Sequence, residues 1–220
     1  MNVEKALKDL RKGKFVLIHD SASRENEVDM AIAAEKVTPK DVATMRMDAG
    51  GLICTAMSPL IASKLEMPFI QDVYKKSNMK IFKALIADDI PYDEKSSFSI
   101  PINHRKTFTG ITDRDRALTI KEFAMLAKNP SLEEFGSNFR TPGHVHTLIS
   151  SGLENRRGHT ELSTVLLEFA GMTPVMAICE MMDCRTRKAL TVNKAKEYAS
   201  KNNLTLINTD EIIEYWGVNR

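Results

Sequence analysis

Residues 14–34 read KFVLIHDSASRENEVDMAIAA, and this stretch decides the fold. Lys14–His19 is a compact apolar run, the pattern of a buried strand. Asp20–Asp29 is largely polar, and an apolar run resumes over Met30–Ala34. Before it, Val3–Arg11 places Val3, Ala6, Leu7 and Leu10 on one helical face, and Gly13 stands where a helix C-cap glycine belongs. After it, Thr38-Pro39 opens a helix to about Met47, Gly50-Gly51 breaks it, and Leu52–Met57 reads as a second buried strand. Residues 58–95 carry a weak, mixed pattern. Ser97–Ile102 alternates as a strand does, and Thr119–Lys128 is helical. Asn129–Asn155 reads as loop, with Pro142-Gly143 a turn. Thr160–Ala170 is the clearest helix, followed by a strand over Pro174–Glu180, a helix over Ala189–Asn202, a strand over Leu204–Ile207 and a closing helix over Thr209–Tyr215. Helices and strands alternate without a regular βαβ rhythm. The expected architecture is therefore one α+β domain, residues 1–220, with a mixed sheet packed by helices.

Composition narrows the function. The chain has 220 residues, 31 Lys+Arg against 29 Asp+Glu, and a net charge of +2. Its basic pairs are scattered among acids, and aromatic residues make up only 6%, so a nucleic-acid-binding stripe is not expected. Three cysteines without a CxxC pair fit a reducing compartment. The N-terminal stretch has no apolar signal-peptide core, and no segment is long and apolar enough to span a bilayer. A cytoplasmic protein without a membrane partner is the expectation.

Three places carry the residue types that chemistry needs. In Arg24-Glu25-Asn26-Glu27-Val28-Asp29, three carboxylates recur at i, i+2 and i+4. In an extended chain they share one face, and their mutual repulsion calls for a cation; Mg²⁺ favours such oxygen ligands. The same residues also suit a solvated charged turn. Asn155-Arg156-Arg157-Gly158-His159-Thr160 leads into the clearest helix, with Thr160 a good N-cap. Two arginines beside a helix N-terminus suit a phosphate, and His159 at its mouth suits a metal or proton transfer. A capped helix with two surface arginines is the plain alternative. Glu180 ends a buried strand, either facing solvent or placed for a reason. His159 and Glu180 bracket a helix–turn–strand unit, which can bring its first and last residues to the same end of the sheet. A histidine with carboxylates suits Mg²⁺ or Mn²⁺ better than structural zinc. Lesser candidates are His144 and His146 after a turn, Cys54 as a reactive rather than inert thiol, and the hydroxyl-rich run Thr107–Asp113.

Taken together, these blocks resemble the 3,4-dihydroxy-2-butanone 4-phosphate synthase family. Arg24-Glu-Asn-Glu-x-Asp29, Gly50-Gly-Leu-Ile-Cys54, Thr109-Gly-Ile-Thr112, Arg140-x-Pro-Gly-His-Val145, Arg157-Gly-His-Thr-Glu161 and Ile178-Cys-Glu180 are similar to its signatures, in order, over residues 3–216. The wording around Pro91–Phe98 and Asn103–Phe108 is similar to the archaeal stand-alone branch. The resemblance implies conversion of D-ribulose 5-phosphate to L-3,4-dihydroxy-2-butanone 4-phosphate and formate. It implies Mg²⁺, with Mn²⁺ able to serve, and no organic cofactor. It also implies a homodimer with the active site at or near the interface. By position, Glu25 and His159 would hold the metal, and Arg24, Glu25 and Asp29 would contact the sugar. Arg156, Arg157, Gly158, His159 and Thr160 would hold substrate, with arginine and threonine on the phosphate, and Thr109 and Thr112 would also bind it. Asp29, Cys54, His144 and Glu180 would join Glu25 and His159 as residues needed for activity, with Cys54 near the sugar. A lid over 20–29 would keep the intermediate from water.

Two departures stand out. Val28 replaces a glycine common in the family, which predicts an altered loop there because valine resists positive φ. Asp183–Lys188 is unusually basic. The competing readings are another metal-dependent phosphosugar isomerase or aldolase, and a non-catalytic sugar-phosphate sensor.

Overall fold

In the computed structural model, which describes residues 2–86 and 89–219, the chain opens with helix α1 (Asn2–Arg11) and strands β1 (Val16–His19) and β2 (Val28–Ala33). Helix α2 (Pro39–Thr44) and a π-helical turn (Met45–Ala49) lead to β3 (Cys54–Met57). Three short helices follow: α3 (Pro59–Lys64), α4 (Ile70–Lys76) and α5 (Lys80–Leu85). Then come β4 (Ile102–His104), α6 (Asp113–Leu126), α7 (Leu132–Asn138), β5 (Phe139–Ile149), α8 (His159–Phe169) and β6 (Val175–Glu180). A small hairpin, β7 (Met182–Asp183) and β8 (Lys188–Ala189), precedes α9 (Val192–Asn202), β9 (Thr205–Asn208) and α10 (Thr209–Asn219). Among the described residues no helix is long and apolar enough to cross a membrane.

Seven strands form one mixed sheet in the order β4-β5-β3-β6-β2-β1-β9. The β3–β5 and β1–β9 pairs are parallel, and the others antiparallel. Both faces are covered, which is why the central strands read as unbroken apolar runs. On one face Val16, Ile18, Ala31, Cys54, Ala56, Met176 and Ile178 pack beneath α1, α8 and α10. On the other, Leu17, Met30, Ile32, Met57 and Ala177 meet α2, α3, α6 and α9. This is the α+β mixed-sheet architecture that the sequence predicts. Helix α8 is anchored by Leu162 and Leu166, both fully buried. Each contributes roughly 1.5–3 kcal/mol, against about 0–1 kcal/mol for a surface ion pair. Packing thus anchors the body of the helix whose first residue is His159.

Several boundaries differ from the sequence reading. The expected loop over 129–155 contains α7 and the long strand β5. Pro142-Gly143 is not a chain reversal: it falls where the β4–β5 register shifts between Ile102 and Asn103. A side chain at Gly143 would collide with the Ile102 backbone at 1.9 Å. The expected strand 97–102 is displaced to β4, with Phe98 making only a single bridge to Leu148. Helix α6 starts six residues before Thr119, because Thr112 accepts from Asp115 N–H and caps it. The carboxylates of Asp113 and Asp115 then suit its N-terminal turn. Val28 is extended and pairs with His19 in β2, so the missing glycine imposes no strain there. The positive φ of that loop falls on Asn26, at 55°.

The basic stretch 183–188 is the β7–β8 turn. Asp183 accepts from the N–H groups of Arg185 (2.9 Å) and Thr186 (3.3 Å) and from the Lys194 ammonium. The Lys194 contact, with the backbone donors, lowers the Asp183 carboxyl to about 2. A depressed carboxylate stabilises the fold above its unfolded value near 3.8 and loses that effect as pH falls towards 2. Asp183→Asn should therefore melt below the wild type at pH 7, with the gap narrowing as the pH is lowered through that window.

Candidate active site

One end of the sheet gathers the C-terminal ends of β1 and β6, the first residues of β2 and β3, and the start of α8. Strand alternation turns Asp29, Cys54 and Glu180 towards the α8 face, and Asp29 is the direct ladder partner of Glu180. They line a cavity of about 340 Å³ together with Arg24, Glu25, Glu27, Tyr92, Asp93, Arg156, His159 and Thr160.

The turn 20–27 is shaped by Asp20, which is fully buried. Its carboxylate accepts from Glu25 N–H (3.1 Å), Glu27 N–H (3.0 Å) and the Arg24 guanidinium (3.2 Å). Asp20 N–H bonds back to the Glu27 carbonyl. His19 faces the Asn26 side chain at 3.1 Å, and Asn26 tolerates the left-handed turn. The acidic run is thus folded, not extended, yet Glu25, Glu27 and Asp29 still reach one cavity. The polar loop proper ends at Glu27, since Val28 and Asp29 belong to β2.

His159 sits among these acids. Its Nδ1 lies 3.3 Å from Glu25 Oε2, and its Nε2 lies 3.3 Å from the Glu27 carbonyl and 3.7 Å from Asp29 Oδ1. Burial opposes a charged imidazole here, but Asp29, Glu25 and Asp20 outweigh it and hold His159 up to about 9. Burial drives Asp29 the other way, up to about 7, helped by Glu180, Glu25 and Glu27 and opposed by His159. Asp29 Oδ1 is buried without a hydrogen-bond partner among the described residues. Ligand atoms of Asp20, Glu25 and His159 lie within 4.8 Å of one another. Both oxygens of Asp20 are taken by the turn and Glu25 Oε1 lies 2.9 Å from Arg24 Nη1, so Glu25 Oε2 and the His159 imidazole are the atoms of this cluster that could turn to a cation. Carboxylate and imidazole donors beside an unpartnered carboxylate oxygen fit a hard divalent ion.

The cationic wall adjoins this cluster, with Arg24 Nη1 2.9 Å from Glu25 Oε1. Gly158, not Thr160, caps α8: Glu161 Oε2 accepts from Gly158 N–H (3.2 Å) and from Arg156 Nη1 (2.6 Å), and its Oε1 accepts from Ser151 N–H. Thr160 lies in the first turn, buried, on the cavity wall. A Cβ at Gly158 would meet the Arg156 and Arg24 guanidinium groups at 2.5–2.9 Å, so a bare backbone lets both arginines close over the helix end. Asp93 Oδ2 bridges them, accepting from Arg24 Nη2 (2.7 Å) and Arg156 Nε (2.5 Å). Burial raises the Asp93 carboxyl, but these two bonds pull it below the usual carboxylate range. Glu180 accepts from Leu52 N–H at 2.7 Å; this needs Gly51, where a Cβ would lie 2.6 Å from the Glu180 carbonyl oxygen. The Cys54 thiol is raised well above its ordinary value by burial and then by Glu180 and Asp29. It is a neutral wall group at neutral pH, not a thiolate.

Arg24, Glu25, Asp29, Cys54, Arg156, His159, Thr160 and Glu180 thus meet, with Gly158 beneath the arginines. Arg157 is exposed, and Thr109, Thr112 and His144 do not line the cavity of their own chain. Thr112 caps α6, and Thr109 lies 3.4 Å from Asp115. His144 is exposed, its Nδ1 3.0 Å from Asn103, whose amide also abuts Gly110. Asp20, Gly51, Tyr92 and Asp93 are the site residues that sequence reasoning did not assign. Asp20 closes β1 directly before the acidic run, a visible signal; Asp93 is 63 residues from Arg156 and had none.

A cation pocket of acids and imidazole, set against a guanidinium pair at a helix N-terminus, defines the class of divalent-metal enzymes acting on small phosphorylated substrates. The profile of 3,4-dihydroxy-2-butanone 4-phosphate synthase matches residues 4–215. The chain is 47% identical to the synthase of that name from Methanothermobacter thermautotrophicus, covering 96% of this chain and 94% of that one. It is 46% identical to the Archaeoglobus fulgidus synthase, covering 98% and 94%. A crystal structure of 3,4-dihydroxy-2-butanone 4-phosphate synthase in complex with two magnesium ions superposes with a TM-score of 0.76 at 27% identity, over 97% of this chain and 95% of that one. The chain belongs to the 3,4-dihydroxy-2-butanone 4-phosphate synthase family.

The turn makes a direct test. In Asp20→Ala the Glu25 and Glu27 amides lose their acceptor, and their hydrogen exchange should speed up by roughly tenfold or more.

Proposed function

We propose that this cavity is where the chain carries out the family's lyase reaction in riboflavin biosynthesis, with Glu25 and His159 at its centre. D-ribulose 5-phosphate becomes L-3,4-dihydroxy-2-butanone 4-phosphate plus formate, with C4 leaving as the one-carbon unit. The observation that carries the reading is the meeting of Glu25 and His159 at 3.3 Å, 134 residues apart, beside the unpartnered Asp29 oxygen.

Each group has a task set by its place. Arg156, Thr160 and the N-terminus of α8 take the phosphate, which supplies binding energy away from the reacting carbons. Arg24, Glu25 and Asp29 orient the sugar hydroxyls. Asp29, held near neutrality, accepts and returns a proton, and Glu180 beside it on the ladder is the second carboxylate for proton transfer. Cys54 packs against the sugar as a neutral thiol. Glu25 and His159 would hold magnesium, or manganese in its place, which would supply Lewis-acid polarisation to the substrate. No organic cofactor enters this reading. The turn 20–27 closes over the substrate and excludes water.

Gly110 and His144 meet at Asn103, and the neighbouring Phe108 is 93% exposed. This supports a homodimer in which the patch of one copy completes the cavity of the other. The free thiols and the small-molecule substrate support a cytoplasmic location.

Formate release from ribulose 5-phosphate should require Mg²⁺, stop with a chelator, and fall by at least about a thousandfold in Glu25→Gln and His159→Ala. Metal-dependent substrate binding without formate would favour an isomerase or a sensor. Mixing inactive Glu25→Gln with inactive His144→Ala subunits should restore about a quarter of the activity if sites are shared between copies; no recovery would mean that each chain works alone.

A further inference from the structure

We propose that Asp93 is an internal stand-in for the substrate's phosphate: it bridges Arg24 and Arg156 in the free enzyme and is displaced when a phosphate takes Arg156. The inference rests on the phosphate reading of Arg156 given above.

One carboxylate oxygen of Asp93 serves both guanidinium groups. Arg156 has a second carboxylate partner in Glu161, but that residue is fully buried on α8, and its oxygens also hold Ser151 N–H and Gly158 N–H. Glu161 is part of the helix end and stays. Asp93 is placed differently. It lies on the strap 89–96, for which the described residues show no backbone–backbone hydrogen bond. Side chains hold the strap instead. Asp93 grips the arginines, Arg24 stacks 5.2 Å over the Tyr92 ring, and Lys95 reaches Asp72 at 2.7 Å and the Phe69 ring at 3.9 Å. The Lys95–Asp72 pair is solvent-exposed and weak. The Asp93 contact is thus the main tie, and Tyr92 and Asp93 line the cavity, so releasing the strap widens it.

Charge sets the direction of the exchange. Arg24 also pairs with Asp20 (3.2 Å) and Glu25 (2.9 Å), and Arg156 with Glu161 (2.6 Å), but those acids are fixed in the turn and the helix end; Asp93 adds one negative charge from the strap. A phosphate dianion brings a second charge and more acceptor oxygens to the same donors. A free monocarboxylate brings nothing that Asp93 lacks, and it competes against a tethered carboxylate at millimolar effective concentration. The arginine pair therefore discriminates against formate, the small product, while admitting phosphate.

The test uses the whole protein and inorganic phosphate. If the latched form outweighs the open form by about ten to one, removing the latch tightens apparent phosphate affinity about tenfold. Calorimetry should show this in both Asp93→Asn and Asp93→Ala. In the wild type, trypsin should cut after Lys95 several-fold faster when phosphate saturates the site, while millimolar formate should leave the rate unchanged. Phosphate binding that is unchanged or weaker in both variants, or slower cutting with phosphate, would show that Asp93 only positions the arginines and would overturn the proposal. Undiminished phosphate binding in Arg156→Ala would instead overturn the phosphate site itself.

Discussion

The Asp20 carboxylate is the contact on which the rest of the site depends. It is fully buried, and it is tolerable there only because two backbone N–H groups and a guanidinium share it. Satisfying it folds the chain between β1 and β2 into one compact turn. That turn sets Glu25 against His159 and sends Arg24 across to Asp93. Without it the acids of 25–29 would form a solvated run, with no reason to meet a helix 130 residues away.

The site joins an acidic cluster to an arginine pair through Arg24, which lies 3.2 Å from Asp20 and 2.9 Å from Glu25. Acids collect around His159, and the arginines collect over Gly158. The acidic side holds a proton on His159 and leaves Asp29 near neutrality, the two signatures of a pocket prepared for a cation and for proton movement. The basic side is filled by Asp93 and Glu161. Each half is incomplete alone, and a phosphorylated sugar with its metal spans both.

What the sequence showed depended on how local the cause was. The apolar stripe of α1, the strands around Leu17 and Ile178, and the stripe of α8 are set by neighbouring residues and were legible. Glu25, Asp29, His159 and Glu180 were legible as chemistry, and their assembly came from the family resemblance. Pro142-Gly143 misled because a turn signal can also mark an irregular strand, and Thr160 misled because a threonine near a helix start is ambiguous between the cap and the first turn. Glu161 settles the cap of α8 by reaching back to Gly158, a choice that only the folded geometry shows. Asp93 was illegible because its meaning lies wholly in two arginines 69 and 63 residues away.

Asp29 and Glu180 are ladder partners on interior strands, whereas Arg24, Glu25 and Asp93 ride on a turn and a strap held largely by side chains. The two groups have different thermal fates. Side-chain ties loosen well before a sheet covered on both faces melts. Such an enzyme falls silent on warming while its core is still intact, and it recovers on cooling. Heat tolerance of activity is then governed by the turn and the strap, and strengthening the core alone would leave it where it was.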